Sequence, residues 1–260
     1  MTDAADFERR FGGIRRLYGD AALQRFKSAH VCVIGIGGVG SWAVEALARN
    51  AIGRLTLIDL DNVAESNFNR QIHALEGEIG KAKVTAMAER VRRINPDCEV
   101  LQIEEFITSE NVQELLGHVQ YDGIIDAIDD ARAKAALAAW CRREKRLLVM
   151  AGGAGGRFDA TRIQNADLAR AAGDRLLSKV RNLLRREYGF PKGEKTRFGL
   201  PCIYSDEPIT RPDQCEGDDN SLNGLSCAGY GSSVTVTAAV GFAAAGFLLN
   251  TIAKSAADRA

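Results

Sequence analysis

The sequence has no net charge, because 34 basic residues balance 34 acidic ones over 260 residues. This balance excludes a polybasic protein that binds bulk nucleic acid, since such binding depends on a large excess of Lys and Arg. Prolines are few, at 5, while 46% of the residues are hydrophobic. That composition excludes a disordered chain. The length suits one large α/β domain or two small ones, and it allows a substantial core.

Paired cysteines are also absent, since none of the six cysteines forms a CxxC pair. A zinc ribbon is therefore not expected. In the C-terminal third, Cys202, Cys215 and Cys227 each stand alone, and isolated cysteines are usually inert, so we expect no catalytic cysteine. The N-terminus lacks the basic-then-apolar pattern of a signal peptide. Scattered cysteines without an export signal predict a reduced, cytoplasmic protein.

Residues 234–253 form an uncharged stretch that is long enough to cross a bilayer. Most of it is Ala, Gly and Thr, with Asn250 inside, and its large apolar residues are few. We therefore predict a buried helix or a helix at a subunit interface. Membrane association through this stretch is the alternative.

Short apolar runs alternate with stretches of helical spacing between residues 31 and 150. This alternation predicts βαβ units, and right-handed crossovers then give an α/β fold with a Rossmann-like, doubly wound, mostly parallel sheet. One of the helices is predicted over residues 109–116, with Ser109 as its N-cap. The C-terminal third is predicted to be more elaborate. It comprises a flexible glycine turn over 151–156, a strand over 157–164, a helix over 174–188, a strand over 199–205 and an acidic loop over 206–224.

A glycine-rich hexapeptide, GIGGVG at residues 35–40, follows the first predicted strand and opens a helix. Glycines at such a turn let the backbone approach a phosphate, whose charge suits the helix N-terminus. Asp59 closes the next strand, where an acidic side chain commonly accepts hydrogen bonds from ribose hydroxyls. This context predicts nucleotide binding, and NAD and ATP both fit it.

Three motifs then favour ATP over NAD. They are D-x-D-x-V-x-x-S-N-x-x-R-Q at 59–71, G-x-x-K at 80–83 and D-x-x-D at 126–129. Two cations, Arg70 and Lys83, suit a triphosphate whose charge must be neutralised as pyrophosphate leaves. Asp129 follows a parallel strand, at the edge where ligands bind, and a carboxylate there suits Mg²⁺. Each residue alone has an ordinary explanation as a surface charge or a helix cap, so the combination carries the inference.

Together these motifs resemble the ThiF/MoeB/HesA superfamily, also called ubiquitin-activating-enzyme-like, over residues 31 to about 150. The resemblance implies that ATP adenylates a carboxylate and that pyrophosphate is released. It implies that Asp59 holds the ribose, that Asp129 binds Mg²⁺, and that Arg70, Lys83 and Asp129 are the catalytic residues. The complete set of nucleotide-binding residues carried over in this way is Gly35, Gly37, Gly38, Gly40, Asp59, Asp61, Asn67, Arg70, Gln71, Lys83 and Asp129.

The same resemblance implies a division of the chain. Residues 1–30 are then an arginine-rich helical leader, and residues 31–260 are one ThiF/MoeB/HesA-like ATP-binding domain. The domain has a nucleotide-binding half over 31–150 and a substrate and dimer half over 151–260.

A homodimer is implied as well, in which a leader arginine often reaches the partner's site. Sulfur-transfer proteins of a cysteine desulfurase system are implied as further partners. The leader offers Arg10, Arg15 and Arg16, but the usual Arg-Gln pair of the family falls on Gly13 and Ile14. The sequence therefore does not select one arginine.

The basic residues of the C-terminal half are concentrated in one stretch. Residues 168–199 have a net charge of +6, and residues 200–220 have a net charge of −5. Apolar residues share one face of the helix predicted there, which leaves the cations outward. A solvated face is normally mixed in sign, whereas a face of one sign beside a nucleotide site favours a polyanion such as RNA. The predicted RNA-binding residues are Arg175, Lys179, Arg181, Arg185 and Arg186.

Local strings in both halves resemble the branch of this family that acts on threonylcarbamoyladenosine beside the tRNA anticodon. These strings lie at 10–13, 17–19, 69–75, 152–156 and 204–207. The resemblance implies that ATP activates the threonyl carboxylate, that the group closes into a ring on itself, and that AMP leaves, with net loss of water. Intramolecular attack needs no protein nucleophile, which fits three histidines without a visible relay, and we expect a structural role for His73.

Three other functions stay open from the sequence. They are an adenylating activator of a ubiquitin-like sulfur carrier, an NAD-dependent oxidoreductase and a non-catalytic protein that binds a nucleotide.

Overall fold

The computed structural model describes residues 4–193, 196–210 and 230–257. Its centre is a seven-stranded sheet in the order β3-β2-β1-β4-β5-β7-β6, in which only β6 runs antiparallel to its neighbour. The strands are β1 (His30–Ile34), β2 (Arg54–Ile58), β3 (Glu99–Ile103), β4 (Gly123–Asp126), β5 (Leu148–Ala151), β6 (Ile163–Asp167) and β7 (Pro201–Ser205). The predicted Rossmann-like, mostly parallel sheet is confirmed.

Helices cover both faces of this sheet. They are α1 (Ala4–Tyr18), α2 (Asp20–Ser28), α3 (Gly40–Arg49), α4 (Lys83–Ile94), α5 (Val112–Leu116), α6 (Ala131–Arg143), α7 (Arg175–Glu187) and α8 (Val234–Ala257). Successive residues of β1 point to opposite faces, so Val31 and Val33 join a core with α2, α3, α4 and α8. Cys32 and Ile34 join the other core, with α5, α6 and α7.

The last helix, α8, is long and apolar enough to cross a membrane by length and composition, and half of its most apolar window is buried inside the fold. Its inner face contributes Val240, Leu248 and Ile252 to the core, where it packs on α2 and α3. On the outer face, Phe242 is 46% exposed and meets the Trp42 ring edge-on at 5.6 Å. One face of the predicted buried or interface helix is thus buried within the chain itself.

Two predicted elements were placed wrongly. The strand expected over 157–164 is a loop and a short 3₁₀ turn, and β6 begins only at Ile163. The reason is that Glu207 Oε2 accepts the backbone N–H groups of Phe158 and Asp159, at 3.0 and 2.9 Å, which removes them from strand pairing. Ser109 caps no helix, because α5 begins at Val112.

The predicted flexible turn over 151–156 is held in place by backbone hydrogen bonds. The N–H of Gly152 donates to the Ile203 carbonyl at 2.8 Å, and that of Gly156 donates to the Gly231 carbonyl at 3.0 Å. Most of the predicted acidic loop over 206–224 lies outside the described residues, as do Cys215 and Cys227.

A buried ion pair joins β4 to α6. Lys134 Nζ lies 2.9 Å from Asp126 Oδ1, and both side chains are fully buried. The same ammonium donates to the Asp126 carbonyl at 3.2 Å, while the Ile128 N–H donates to Asp126 Oδ1 at 3.1 Å. Burial raises the pKa of Asp126, and Lys134 opposes that shift. The pair therefore fixes the turn between β4 and α6, which includes Asp129.

Replacing Lys134 with Met should destabilise the fold by about 3–5 kcal/mol, because Asp126 would then be a buried charge without a cation. The free energy of urea-induced unfolding measures this. Arg132→Met is a matched control on an exposed position of the same helix and should change stability by about 0.5 kcal/mol or less. Equal effects of the two substitutions would show that the buried pair does not support the fold.

Candidate nucleotide-binding site

A cavity of about 630 Å³ lies where the parallel strands end. This is the edge of an open α/β sheet at which ligands bind. Ten of the eleven residues predicted to bind the nucleotide line it, namely Gly35, Gly37, Gly38, Asp59, Asp61, Asn67, Arg70, Gln71, Lys83 and Asp129. The topology therefore brings together side chains that are spread over nearly a hundred residues of sequence.

The glycine loop, residues 35–40, connects β1 to α3. Gly35 has φ +85°, and a Cβ there would lie 2.8 Å from the backbone of Ala127, so no other residue fits. A Cβ on Gly40 would lie 1.8 Å from the Gly35 carbonyl oxygen. Gly40 does not line the cavity, so the structure gives this predicted ligand a packing role. A Cβ on Gly37 would meet only Gln71 Nε2, at 3.9 Å, and this part of the loop is open to a ligand.

Acidic side chains at the end of β2 hold both the glycine loop and a lysine. Asp59 Oδ2 accepts the Ile36 N–H at 2.6 Å, and its Oδ1 accepts the Asp61 N–H at 2.9 Å. Lys83 Nζ lies 2.7 Å from Asp61 Oδ2 and 4.0 Å from Asp59 Oδ1. Burial raises the pKa of Asp59, although Lys83 and the two N–H groups oppose this. The lysine is thus a buried cation fixed at the cavity wall.

The segment after the 3₁₀ turn Glu65–Asn67 supplies polar groups to the same wall. Arg70 Nη1 donates to the Ser66 carbonyl at 2.6 Å and to Asn69 Oδ1 at 3.0 Å, and no ion pair to a carboxylate is found for it in the described chain. The Arg70 carbonyl accepts the Trp42 indole N–H at 2.9 Å. Gln71 is 5% exposed, and its Oε1 has no hydrogen-bond partner among the described residues. A buried amide oxygen of this kind is stabilised by a ligand or a water.

The acidic pair after β4 is divided between two tasks. Asp130 also lines the cavity, but its side chain caps α6, accepting the Ala133 N–H at 2.7 Å. Asp129 is exposed and lines the cavity, and within the described ranges it forms no ion pair. The described residues contain no cluster of three His, Cys, Asp or Glu side chains that could hold a metal. A single carboxylate fits Mg²⁺ that is bound mainly by phosphate oxygens.

The opposite side of the cavity was not predicted from the sequence. We call it the β5 wall, and it comprises Gly152–Gly155, Arg157, Asp174, Arg175, Leu176, Ile209 and Tyr230. Arg157 Nη1 lies 3.1 Å from Asp174 Oδ2 in an ion pair that is almost fully buried. Asp174 also accepts the N–H groups of Gly153 at 3.0 Å and Leu177 at 2.9 Å, which caps α7. The glycine run over 152–156 was the sequence signal for this wall. No sequence pattern pointed to Arg157, and Arg175 was predicted only as an RNA-binding residue.

The predicted RNA-binding residues of α7 do not share one environment. Lys179 and Arg186 are exposed, and Arg186 Nη2 lies 2.6 Å from Glu187 Oε1. Arg175 is also exposed, but it lines the cavity. The outward basic face is therefore smaller than the sequence suggested.

Two of these arginines point inward, contrary to expectation. Arg181 Nη1 donates to the carbonyls of Leu168 at 3.2 Å and Ala171 at 2.5 Å, and so supports the turn before α7. The Arg185 guanidinium lies over the Phe198 ring at 5.6 Å from its centroid. Both residues stabilise the fold in this conformation instead of extending the outward face.

Other candidate residues lie away from the cavity. His73 is 3% exposed, and burial, followed by Lys83 and Arg90, lowers its pKa to about 4. It is therefore neutral near pH 7. Cys202 is fully buried in β7, and burial raises the pKa of its thiol, which disfavours a nucleophilic role.

The leader arginines lie on α1 and do not line the cavity of their own chain. Arg15 Nη2 lies 3.0 Å from Glu8 Oε2, and Arg10 Nη1 donates to the Ile94 carbonyl at 3.2 Å.

Comparison with known proteins adds independent findings. A family model described as the ThiF family matches residues 11–257. A tRNA threonylcarbamoyladenosine dehydratase of Haemophilus influenzae is 47% identical over 255 residues, covering 98% of this chain and 97% of the relative. The structure of Escherichia coli tRNA N6-threonylcarbamoyladenosine dehydratase, TcdA, in complex with ATP matches with a TM-score of 0.89 and 45% identity over 100% of both chains. Its complex with AMP matches with a TM-score of 0.88 and 46% identity over 99% of both chains.

Substitution can distinguish a loop glycine that is open to a ligand, Gly37, from one that is needed for packing, Gly40. Gly37→Ala should leave the melting temperature unchanged, because its Cβ has room in the fold, but should weaken ATP binding by about tenfold or more as phosphate contacts are lost. Gly40→Ala should lower the melting temperature, since its Cβ meets the Gly35 carbonyl. Calorimetric ATP titration and thermal unfolding measure the two effects. Unaltered ATP affinity in Gly37→Ala would exclude phosphate contact at this position.

Proposed function

Because the chain belongs to the ThiF family and is similar over its whole length to tRNA threonylcarbamoyladenosine dehydratases, we propose that it uses ATP to cyclise threonylcarbamoyladenosine in tRNA with net loss of water. The observation that carries this proposal is a cavity in which the glycine loop, two cations and Asp129, which forms no ion pair within the described residues, meet a second wall. Nucleotide and substrate can therefore lie side by side along the strand ends.

The reaction needs two steps at one centre. The threonyl carboxylate attacks the α-phosphorus of ATP, so that pyrophosphate leaves and an acyl adenylate forms. An atom of the neighbouring carbamoyl group then attacks the acyl carbon, and the ring closes. AMP departs and carries the former carboxylate oxygen, and the attacking group releases a proton. Because both reacting groups belong to one substituent, their effective concentration is high, and no protein nucleophile is required. Cys202 is buried, which fits a reaction that uses no cysteine nucleophile.

The chain's own cations and carboxylates have distinct tasks in this scheme. Lys83, held by Asp59 and Asp61, and Arg70 would neutralise the charge that develops on the departing pyrophosphate. The Nε2 of Gln71 would donate a hydrogen bond to a phosphate oxygen. Asp129 would hold Mg²⁺, which supplies charge neutralisation at the phosphates when it is bound.

The tRNA is proposed to dock on the outer face of α7. Lys179 and Arg186 are exposed there, and phosphate contacts by exposed cations position a nucleic acid without reading its sequence. The helix begins at the cavity, so a stem along it would place a loop nucleotide near the strand ends. Because the chain as a whole has no net charge, only this basic face would attract the tRNA, and the tRNA could still dissociate.

We further propose that the protein is a cytoplasmic homodimer and that one of Arg10, Arg15 and Arg16 contacts the nucleotide of the partner. Dimerisation would cover the exposed side of α8 around Phe242, which is an alternative to membrane association of the same helix. Sulfur-transfer proteins of a cysteine desulfurase system stay a prediction from the family.

The decisive assay incubates the protein with ATP, Mg²⁺ and tRNA that carries threonylcarbamoyladenosine, and then measures the nucleoside masses. We expect the modified adenosine to lose the mass of one water while AMP and pyrophosphate form. Retention of that water, together with ATP–pyrophosphate exchange that depends on a carrier protein ending in Gly-Gly, would contradict the proposal and favour an activator of a sulfur carrier. Nicotinamide binding without ATP binding would favour an oxidoreductase.

Substitutions at the phosphate side should stop AMP formation. Asp129→Ala and Lys83→Ala are each expected to lower the rate of AMP release by about a hundredfold or more, since each removes charge stabilisation of the departing group. Asp130→Asn is the matched control for Asp129, because Asn caps a helix as well as Asp does, and it should keep the rate. Wild-type turnover in Asp129→Ala would remove the metal assignment.

Charge reversal on the outer face of α7 tests the docking surface. Lys179→Glu with Arg186→Glu should weaken tRNA binding and reduce its dependence on salt, because fewer counterions are released. The affinity for ATP should stay the same. Binding curves for tRNA between low and physiological salt measure both quantities, and an unchanged salt slope would exclude this helix as the docking surface.

A further inference from the structure

Arg175 occupies a position that differs from those of the other cations of α7. It is the first residue of that helix and lines the cavity, whereas Lys179 and Arg186 lie outside it. Its Nη1 lies 3.4 Å from the Oη of Tyr230, which lines the same cavity. An arginine predicted to face a tRNA stem therefore belongs to the β5 wall.

Within the described ranges, Arg175 has no carboxylate partner. Its neighbour Asp174 is already paired with Arg157 and accepts two backbone N–H groups. The Glu207 carboxylate accepts the N–H groups of Phe158 and Asp159. Arg175 is the first residue of α7, where the acidic N-cap Asp174 is already paired with Arg157. A cation is disfavoured at this positive end of the helix dipole. An anion bound in the cavity would remove that penalty.

The phosphates of ATP do not account for this anion. Their predicted ligands lie on the glycine loop, at the end of β2 and in the turn after β4, including Lys83 and Asp129. The β5 wall lies further along the sheet, after β5 in the order β4-β5-β7. The second anion in the cavity must then come from the other reactant, and this step rests on the proposed function.

We propose that Arg175, oriented by Tyr230, binds the threonyl carboxylate of the modified adenosine before activation and makes the site specific for modified tRNA. The guanidinium group presents paired donors that match the two oxygens of a carboxylate. The carboxylate must enter the cavity to reach the α-phosphorus, whereas backbone phosphates of the tRNA stem stay on the outer face of α7. Arg175 thus distinguishes the modification, while Lys179 and Arg186 bind any tRNA.

The test compares binding of two tRNAs, one with threonylcarbamoyladenosine and one with unmodified adenosine at the same position, to the full-length protein without ATP. The wild type should prefer the modified tRNA. Arg175→Ala should reduce that preference by about tenfold or more, because a charge-assisted hydrogen bond to the carboxylate is lost. Arg175→Lys should restore part of it, and Tyr230→Phe should reduce it less than Arg175→Ala does. Lys179→Ala should weaken the binding of both tRNAs equally and leave the preference for the modified tRNA unchanged.

Two results with the Arg175→Ala variant would overturn the assignment. If Arg175→Ala weakens the binding of both tRNAs equally, Arg175 contacts the tRNA backbone. If it changes the binding of neither tRNA, Arg175 has no part in recognition. Loss of preference in a variant whose melting temperature is unchanged supports the assignment, since Arg175 is exposed and its removal leaves the Asp174 cap intact. A wild type that lacks the preference but still removes water would refute only this inference. A wild type that does neither would refute the proposed function as well.

Discussion

The close approach of two backbone segments within the glycine loop is the constraint on which the site depends. Gly40 lies so near the Gly35 carbonyl that any side chain there would overlap it, at 1.8 Å for a Cβ. This contact lets the chain turn directly from β1 into α3, and Gly35, Gly37 and Gly38 line the cavity at this turn. Asp59 then accepts the Ile36 N–H and ties the loop to the end of β2. Every other group of the phosphate side is arranged around this turn.

Charged side chains along the sheet edge are arranged so that three of the carboxylates there are already paired. Asp126 is paired with Lys134, Asp174 with Arg157, and Asp61 with Lys83. These pairs fix the turns after β4, β5 and β2, respectively. The first two are buried and cost desolvation that only good geometry offsets, whereas Asp61 in the third is about half exposed. Asp129 is exposed at the same edge and makes no ion pair in the described part of the chain. The difference between the buried, paired Asp126 and the exposed, cavity-lining Asp129 is visible only in three dimensions, since both occur in the same D-x-x-D motif.

That the glycine loop and the residues to Gln71 lie together in one cavity could be predicted from the sequence, and the β5 wall could not. The glycine loop, Asp59 and the run to Gln71 are close in sequence, so local spacing already implies their proximity. Arg157 and Asp174 are joined through burial and a helix cap, and nothing in their local sequence indicates that they meet. Helical periodicity predicted α7 correctly but did not show that Arg181 bends back to carbonyls before the helix. The strand expected over 157–164 was misplaced because Glu207, distant in sequence, captures its backbone donors.

The indole of Trp42 connects two surfaces that have been described separately. Its N–H is bonded to the carbonyl of Arg70, and its ring meets Phe242 on the outer side of α8. The chain has only two tryptophans, and the other, Trp140, is buried in the opposite core. The protein consequently contains an intrinsic fluorophore between the cavity-lining Arg70 segment and the exposed apolar side of α8. Its emission would respond to nucleotide on one side and to coverage of Phe242 on the other, so ligand binding and association become observable without a label.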